Sequence, residues 1–203
     1  MAATTTPLAL PPAGGTGGGV EARRGILPLA ATLSAISGVM LVAGLAAAYL
    51  AVKSGTHVRP WPPKGTTFDR YTASTISITA AMAMVTIEWA GYGIRKAFRG
   101  QALFAFALTV GLGIAFLNGL AYLINGFPFP ANASPYATIV YALTTVPFVF
   151  AFVAVGAVAL TGLRAAGHQL TTDNFSLMRA TAILWHAASV IWIIGYYTVF
   201  VTK

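Results

Sequence analysis

Five long apolar segments leave this chain few ways to fold. They lie at about 26–52, 71–94, 102–124, 136–163 and 176–201. At about 1.5 Å per residue, each is long enough as a helix to cross roughly 30 Å of hydrocarbon. Inside a bilayer every backbone N–H and C=O must find a partner within the protein, and a continuous apolar segment achieves that as a helix. The predicted fold class is therefore all-α: an integral membrane bundle of five transmembrane helices. Composition agrees. The chain is 57% hydrophobic and 8% charged, where a soluble domain carries about 25% charge.

Residues 1–22 precede the bundle and are rich in Ala, Thr, Pro and Gly, as in Pro11-Pro12-Ala13-Gly14-Gly15. This stretch is expected to be a disordered tail. It starts without basic residues and lacks an apolar core of signal-peptide length, so it does not read as a secretory signal. The five-span domain is then 23–203. Its connections are short except for Lys53 to Arg70, where Pro60, Pro62, Pro63 and Gly65 forbid regular helix and favour a defined turn. No internal repeat is visible, which argues against an inverted-repeat transporter.

Charge sets the expected orientation. Arg23, Arg24, Arg95, Lys96, Arg99, Arg164 and Arg179 fall on one side, and Lys53, Arg59, Lys64, Arg70 and Lys203 on the other. Seven against five favours a cytoplasmic N-terminus and an outside C-terminus. The net charge of +8 is dispersed over short loops on both sides. That pattern suits lipid headgroups better than nucleic acid.

Helices associate in lipid through close packing and hydrogen bonds. Small-residue seams are available at Ser34 and Gly38, at Gly44 and Ala48, and at Gly111, Gly113 and Gly119. Thr72, Thr75, Thr79 and Thr86 form a hydroxyl stripe on the second span. It reads either as a set of local and interhelical hydrogen bonds or as part of a polar conduit. Tyr71, Tyr136, Tyr196, Tyr197 and Trp61 cluster near span ends, as interfacial aromatic residues do.

Two ionisable residues sit within spans, where such groups are functional candidates. His186 stands in Leu184-Trp185-His186-Ala187, and Glu88 in Thr86-Ile87-Glu88-Trp89. Glu88 reads either as a proton-exchanging carboxyl or as a group hydrogen-bonded within the bundle. A self-contained redox centre is poorly supported. There is no cysteine, and His57 and His168 are expected in loops on opposite sides of the membrane. No catalytic, cofactor-binding or metal-binding residue is therefore assigned. Trp185, Ser189, Trp192 and Tyr196 recur on one helix face with His186 at its edge. The face suits helix or subunit packing, with the imidazole N–H bonded across an interface.

Three features occur in order: Trp61-Pro62-Pro63-Lys64-Gly65 after the first span, the spacing of five spans, and Trp185-His186 with Trp192 in the last. Ala43-Gly44-Leu45 with Tyr49 adds a fourth. Together they resemble subunit III of haem–copper terminal oxidases in its short, five-helix form, over about 26–203. The resemblance implies a non-catalytic subunit of a cytochrome c oxidase-type complex, active in aerobic electron transport. Haem and copper would lie on the partner subunits I and II, with none on this chain. Such a subunit packs on subunit I, holds phospholipid in a cleft and supports proton uptake. The implied location is a prokaryotic plasma membrane. Trp61, Tyr71, Trp185 and Trp192 are the expected lipid or subunit contacts.

Departures from the family pattern accompany the resemblance. A glutamate of the first retained span is Gly38 here, and a second glutamate, in the third, is Ala121. A His-x-x-His pattern falls on Pro147 and Phe150, and the aspartate three after the terminal histidine is Ser189. Other assignments consistent with the residues are an accessory subunit of a nitric oxide reductase or another membrane oxidase, or a small stand-alone proton or ion pathway through Glu88, His186 and the threonine stripe.

Overall fold

A computed structural model of the chain describes residues 17–55, 61, 69–170 and 175–202, with backbone alone for 17–24. The expected tail up to residue 16, the Pro62–Gly65 part of the long loop, His57 and Asp173 lie outside the described residues. Five helices are present: α1 Gly17–Gly55, α2 Arg70–Arg95, α3 Arg99–Asn125, α4 Pro135–Ala166 and α5 Ser176–Tyr196. A π-helical turn, Tyr197–Val201, extends α5. All five are long and apolar enough to span a membrane, and no strand occurs among the described residues. The fold is an all-helical membrane bundle, as expected from the segment lengths. The first helix starts earlier than its apolar stretch, because a helix nucleated by an apolar span propagates at low cost into its flank.

Local chemistry sets the helix ends. Asp69 caps α2, accepting from the N–H groups of Tyr71 at 3.0 Å and Thr72 at 3.2 Å, and from the Thr72 hydroxyl. Ser134 caps α4 by accepting from Ala137 N–H at 3.1 Å, with Pro135 following as the first helical residue. Between α2 and α3 the chain reverses within three residues, through Ala97 at φ 57°. The Phe98 N–H donates back to Gly93 O at 2.8 Å, satisfying one of the carbonyls that a helix end leaves free. A side chain at Gly93 would meet the Ala102 backbone nitrogen at 2.9 Å, so glycine is what lets the two spans close up.

α5 is the centre of the bundle. It packs on α1, α2 and α4, while α3 bridges α2 and α4. Half of the most apolar window of α5 is buried, against 17% for α1. Trp185, Met178, Ile191 and Trp192 of α5 are fully buried, with Phe116 of α3 edge-on to both tryptophans. At the loop end, Trp61 sits edge-on to Tyr49 and Tyr136, tying the long connection to α1 and α4.

The expected seams are partly used. A Cβ at Gly38 would run into the Phe150 ring and lie 2.7 Å from Ile191 Cδ1; one at Gly113 would meet Val155 at 2.6 Å; one at Gly119 would meet Ile76 at 2.7 Å. Gly44 and Gly111 have open space instead. The closest backbone approach was not visible as a seam. Pro147 lies inside α4, and having no N–H it deprives Leu143 O, four residues earlier, of its helical partner. Gly195 of α5 sits over that oxygen, where a Cβ would be only 2.8 Å away.

Gly195→Ala is expected to lower stability by about 1–3 kcal/mol, because the clash is with backbone and not with a movable side chain. Gly44→Ala should leave stability unchanged or raise it, by helix propensity. Unfolding of both variants in mixed micelles checks the contrast. The Asp69 carboxyl is held below its ordinary value of 3.8, first by the Thr72 hydroxyl and then by backbone N–H groups. A carboxyl lowered by folding stabilises the folded state fully above its unfolded value, and that contribution disappears as pH falls through the lower folded value. Acid below about pH 4 should therefore loosen the start of α2 in the wild type. Asp69→Asn should lack that acid-linked step, as read by hydrogen exchange at Thr72 and Ala73.

Candidate functional site

A lateral groove of about 650 Å³ opens between α1, α2 and α5. Its α1 wall is apolar: Ala35, Ile36, Val39 and Met40. α2 contributes Glu88, Gly91 and Arg95, and α5 contributes Met178, Arg179, Ala182, Ile183, His186, Ala187 and Val190. Ala182 and Ala187 present little volume on the α5 wall, whereas Gly91 is covered by Met178, whose side chain a Cβ there would meet at 3.1 Å.

Charge in the groove is layered. Arg95 lies at the end of α2 and Arg179 at the start of α5, so both stand at the same mouth. Arg95 is held over the Phe175 ring, 5.2 Å from its centroid, a cation–π contact that keeps the guanidinium at the rim. Glu88 precedes Arg95 by seven residues and His186 follows Arg179 by seven. Seven residues of helix are about 10 Å of rise, so acid and imidazole lie at equal depth. Their separation is 3.7 Å from Glu88 Oε1 to His186 Nε2, with side chains 56% and 35% exposed to the groove and its surroundings. Among the described residues no group of three or more His, Cys, Asp or Glu converges, so this is a two-member set.

His186 thus differs from its expected arrangement. Its Nδ1 bonds to Ala182 O of its own helix at 2.6 Å, while Nε2 points across to α2. The interhelical partner is a carboxylate that the sequence placed on another span without linking it to the histidine. A signal was present: each residue is seven positions from an arginine at the same membrane end.

The other candidates resolve differently. Trp185 and Trp192 are 1% and 0% exposed and turn into the bundle. They have no face for lipid or another subunit, which corrects the expectation of contact there. The physical reason is that Gly113 makes room for the Trp185 ring, which a Cβ there would meet at 3.2 Å, and Trp192 Nε1–H donates to Ser77 Oγ at 3.0 Å. Trp61 packs inward on Tyr49 and Tyr136, whereas Tyr71 is 82% exposed at the start of α2. The threonine stripe is occupied locally. Thr75 and Thr79 donate to carbonyls one turn back, and Thr86 donates to Ala83 O while accepting from Thr109 of α3. Of these three hydroxyls only that of Thr86 ties α2 to another helix, and none lines the groove. His168 meets Arg99 beside a second cavity of about 300 Å³, at the α3–α4 end of the bundle.

The geometry so far defines a class: a five-span helical membrane protein with one lateral, basic-mouthed groove. The family model for cytochrome c oxidase subunit III matches residues 19–202, and the chain belongs to that family. Similar proteins include cytochrome c oxidase subunit 3 of Gadus morhua, 28% identical over 144 residues, covering 69% of this chain and 54% of the relative. The subunit 3 proteins of Danio rerio and Paracentrotus lividus are 27% and 26% identical over 142 residues, with the same coverage of each chain. The chain spans about half the length of the curated relatives it matches.

The structure puts the Phe150 ring directly on Gly38, so a ring fills the space that the absent side chain leaves.

Replacing Trp192 by Phe removes the bond to Ser77, while Trp185 Nε1 is buried without a hydrogen-bond partner. Both Phe variants lose similar volume. Trp192→Phe is expected to cost about 0.6 kcal/mol more than Trp185→Phe, the average worth of such a bond in a membrane protein. Unfolding in mixed micelles measures the difference.

Proposed function

We propose that the chain is a non-catalytic subunit of a haem–copper terminal oxidase of the respiratory chain, packed on catalytic subunit I, in a complex that includes subunit II. The carrying observation is the family match over residues 19–202, which takes in all five spans. Haem and copper chemistry belongs to the partner subunits in this reading. The membrane is a prokaryotic plasma membrane, with the N-terminus cytoplasmic and the C-terminus outside. Supporting that orientation, Arg95, Lys96, Arg99, Arg164 and Arg179 lie at one end of the bundle, with Lys53 and Arg70 at the other.

The groove is the phospholipid site in this reading. Arg95 and Arg179 carry charge suited to a phosphate at the headgroup level. Below them, Val39, Met40, Ile183 and Val190 offer an apolar bed for an acyl chain. Tyr71 and Trp61 lie at the other end of the spans, near the opposite headgroup layer.

A tagged chain purified from its own host in mild detergent should bring down a haem-bearing complex with anionic phospholipid retained, read by absorbance and native mass spectrometry. Arg95→Gln with Arg179→Gln should lose the phospholipid and keep the haem-bearing partner. Haem or copper on the isolated chain overturns the non-catalytic assignment, and lipid retention unchanged in the double variant overturns the groove as its site.

A further inference from the structure

We propose that Glu88 and His186 form a proton-sharing pair: one exchangeable proton held between two spans, on the floor of the lateral groove. The pair stands apart from Gly38 and Ala121, the positions at which the resemblance would place the family's carboxylates.

The argument starts from a carbonyl. Ala182 O lies 2.6 Å from His186 Nδ1. A carbonyl oxygen only accepts, so Nδ1 carries the hydrogen. A neutral ring with that tautomer has a bare lone pair on Nε2. That lone pair faces Glu88 Oε1 at 3.7 Å. If Glu88 were ionised as well, two acceptors would confront one another with nothing between them. The arrangement is favourable with one proton added, either on Nε2 as an imidazolium or on Glu88 as a carboxylic acid. In both forms the pair has no net charge. A lone carboxylate or a lone imidazolium about 10 Å inside the helix ends would carry a desolvation cost that the pair avoids. The 3.7 Å gap is closed by a small side-chain movement or by a bridging water.

The surroundings permit exchange. From α2 the charged group facing the pair is Arg95, and from α5 it is Arg179, each two turns away at the mouth. The α1 wall contributes Val39 and Met40 and no ionisable group to the groove. Tyr92 is one turn from Glu88 on α2 and lies outside the groove lining. Both side chains are partly exposed in the groove, about 10 Å of helix rise from its Arg95–Arg179 mouth, so a proton reaches them from that mouth and not through the bundle interior. The predicted activity is reversible proton uptake at the groove, without redox chemistry and without any metal.

The test uses the full chain in phospholipid vesicles, with ¹³C at glutamate carboxyls and ¹⁵N in histidine rings. The chain has two glutamates, Glu21 and Glu88, and three histidines, His57, His168 and His186, so the signals are few. Glu88→Gln and His186→Gln assign them. In the wild type the Glu88 carboxyl and the His186 ring should change over one common pH interval, as coupled groups do. Glu88→Gln should abolish that joint step and change the His186 ring signals. If Glu88→Gln fails to insert, His186→Gln gives the reciprocal result on the Glu88 signal. Titration of the two groups over separate intervals, identical His186 signals in wild type and Glu88→Gln, or no response at any pH each overturns the proposal. The inference concerns the chain alone, so its outcome is independent of whether the oxidase complex is recovered.

Discussion

Hydrocarbon removes the main force that assembles a soluble core. Lipid tails are as apolar as leucine, so spans must be held by close approach and by hydrogen bonds between them. In this protein both converge on α5. Tyr196 bonds to Ser74 at 3.0 Å and Trp192 to Ser77 at 3.0 Å, a short ladder against antiparallel α2. Thr181 bonds to Thr161 of α4 at 2.8 Å. Gly195 lies on the carbonyl that Pro147 frees, and Ile191 lies over Gly38 of α1. Remove α5 and α1 has only α4 left as a substantial neighbour, while α2 keeps only α3. The other four spans form a row, α1–α4–α3–α2, and α5 closes it, supplying most of the polar ties and the largest buried rings.

The same logic shows in how the interior is filled. Phe150 of α4 packs on Gly38 of α1, a ring set into the space left by an absent side chain. Ser189 turns its hydroxyl to its own helix, donating to Trp185 O at 3.0 Å. Glu88 and His186, in contrast, lie at the groove.

Much of this was legible in the sequence. Segment length and apolarity fixed the number of spans, because hydrocarbon admits only one local solution for each. The resemblance carried by Trp61, Trp185, His186 and Trp192 pointed to the family. Contacts between spans were less legible. A span's sequence gives its own faces but not its neighbours, so Trp185 and Trp192 read as subunit contacts although both are interior. Gly44 read as a seam although it meets nothing within the bundle, while Gly195, isolated in sequence, makes the closest approach to another backbone. Glu88 and His186 were each legible as candidates. Their meeting depends on α2 and α5 being neighbours, which only the three-dimensional arrangement supplies.

Depth is what makes that meeting consequential. α2 and α5 run antiparallel, so residues equally far from their arginine ends share a level in the membrane. At one end of this seam the hydroxyl–aromatic ladder closes the two helices tightly. At the other, the groove opens beside Ala182 and Ala187 of α5. A gap in hydrocarbon fills with lipid, and lipid offers no hydrogen bond to either wall. On its own wall each group would lack a hydrogen-bonding partner. Facing one another, each supplies what the other lacks, since the Ala182 carbonyl fixes the ring with Nε2 toward Glu88. In the proposed reading the groove therefore joins two properties that an apolar cleft alone would not have: a basic rim suited to an anionic headgroup, and a floor that holds a proton.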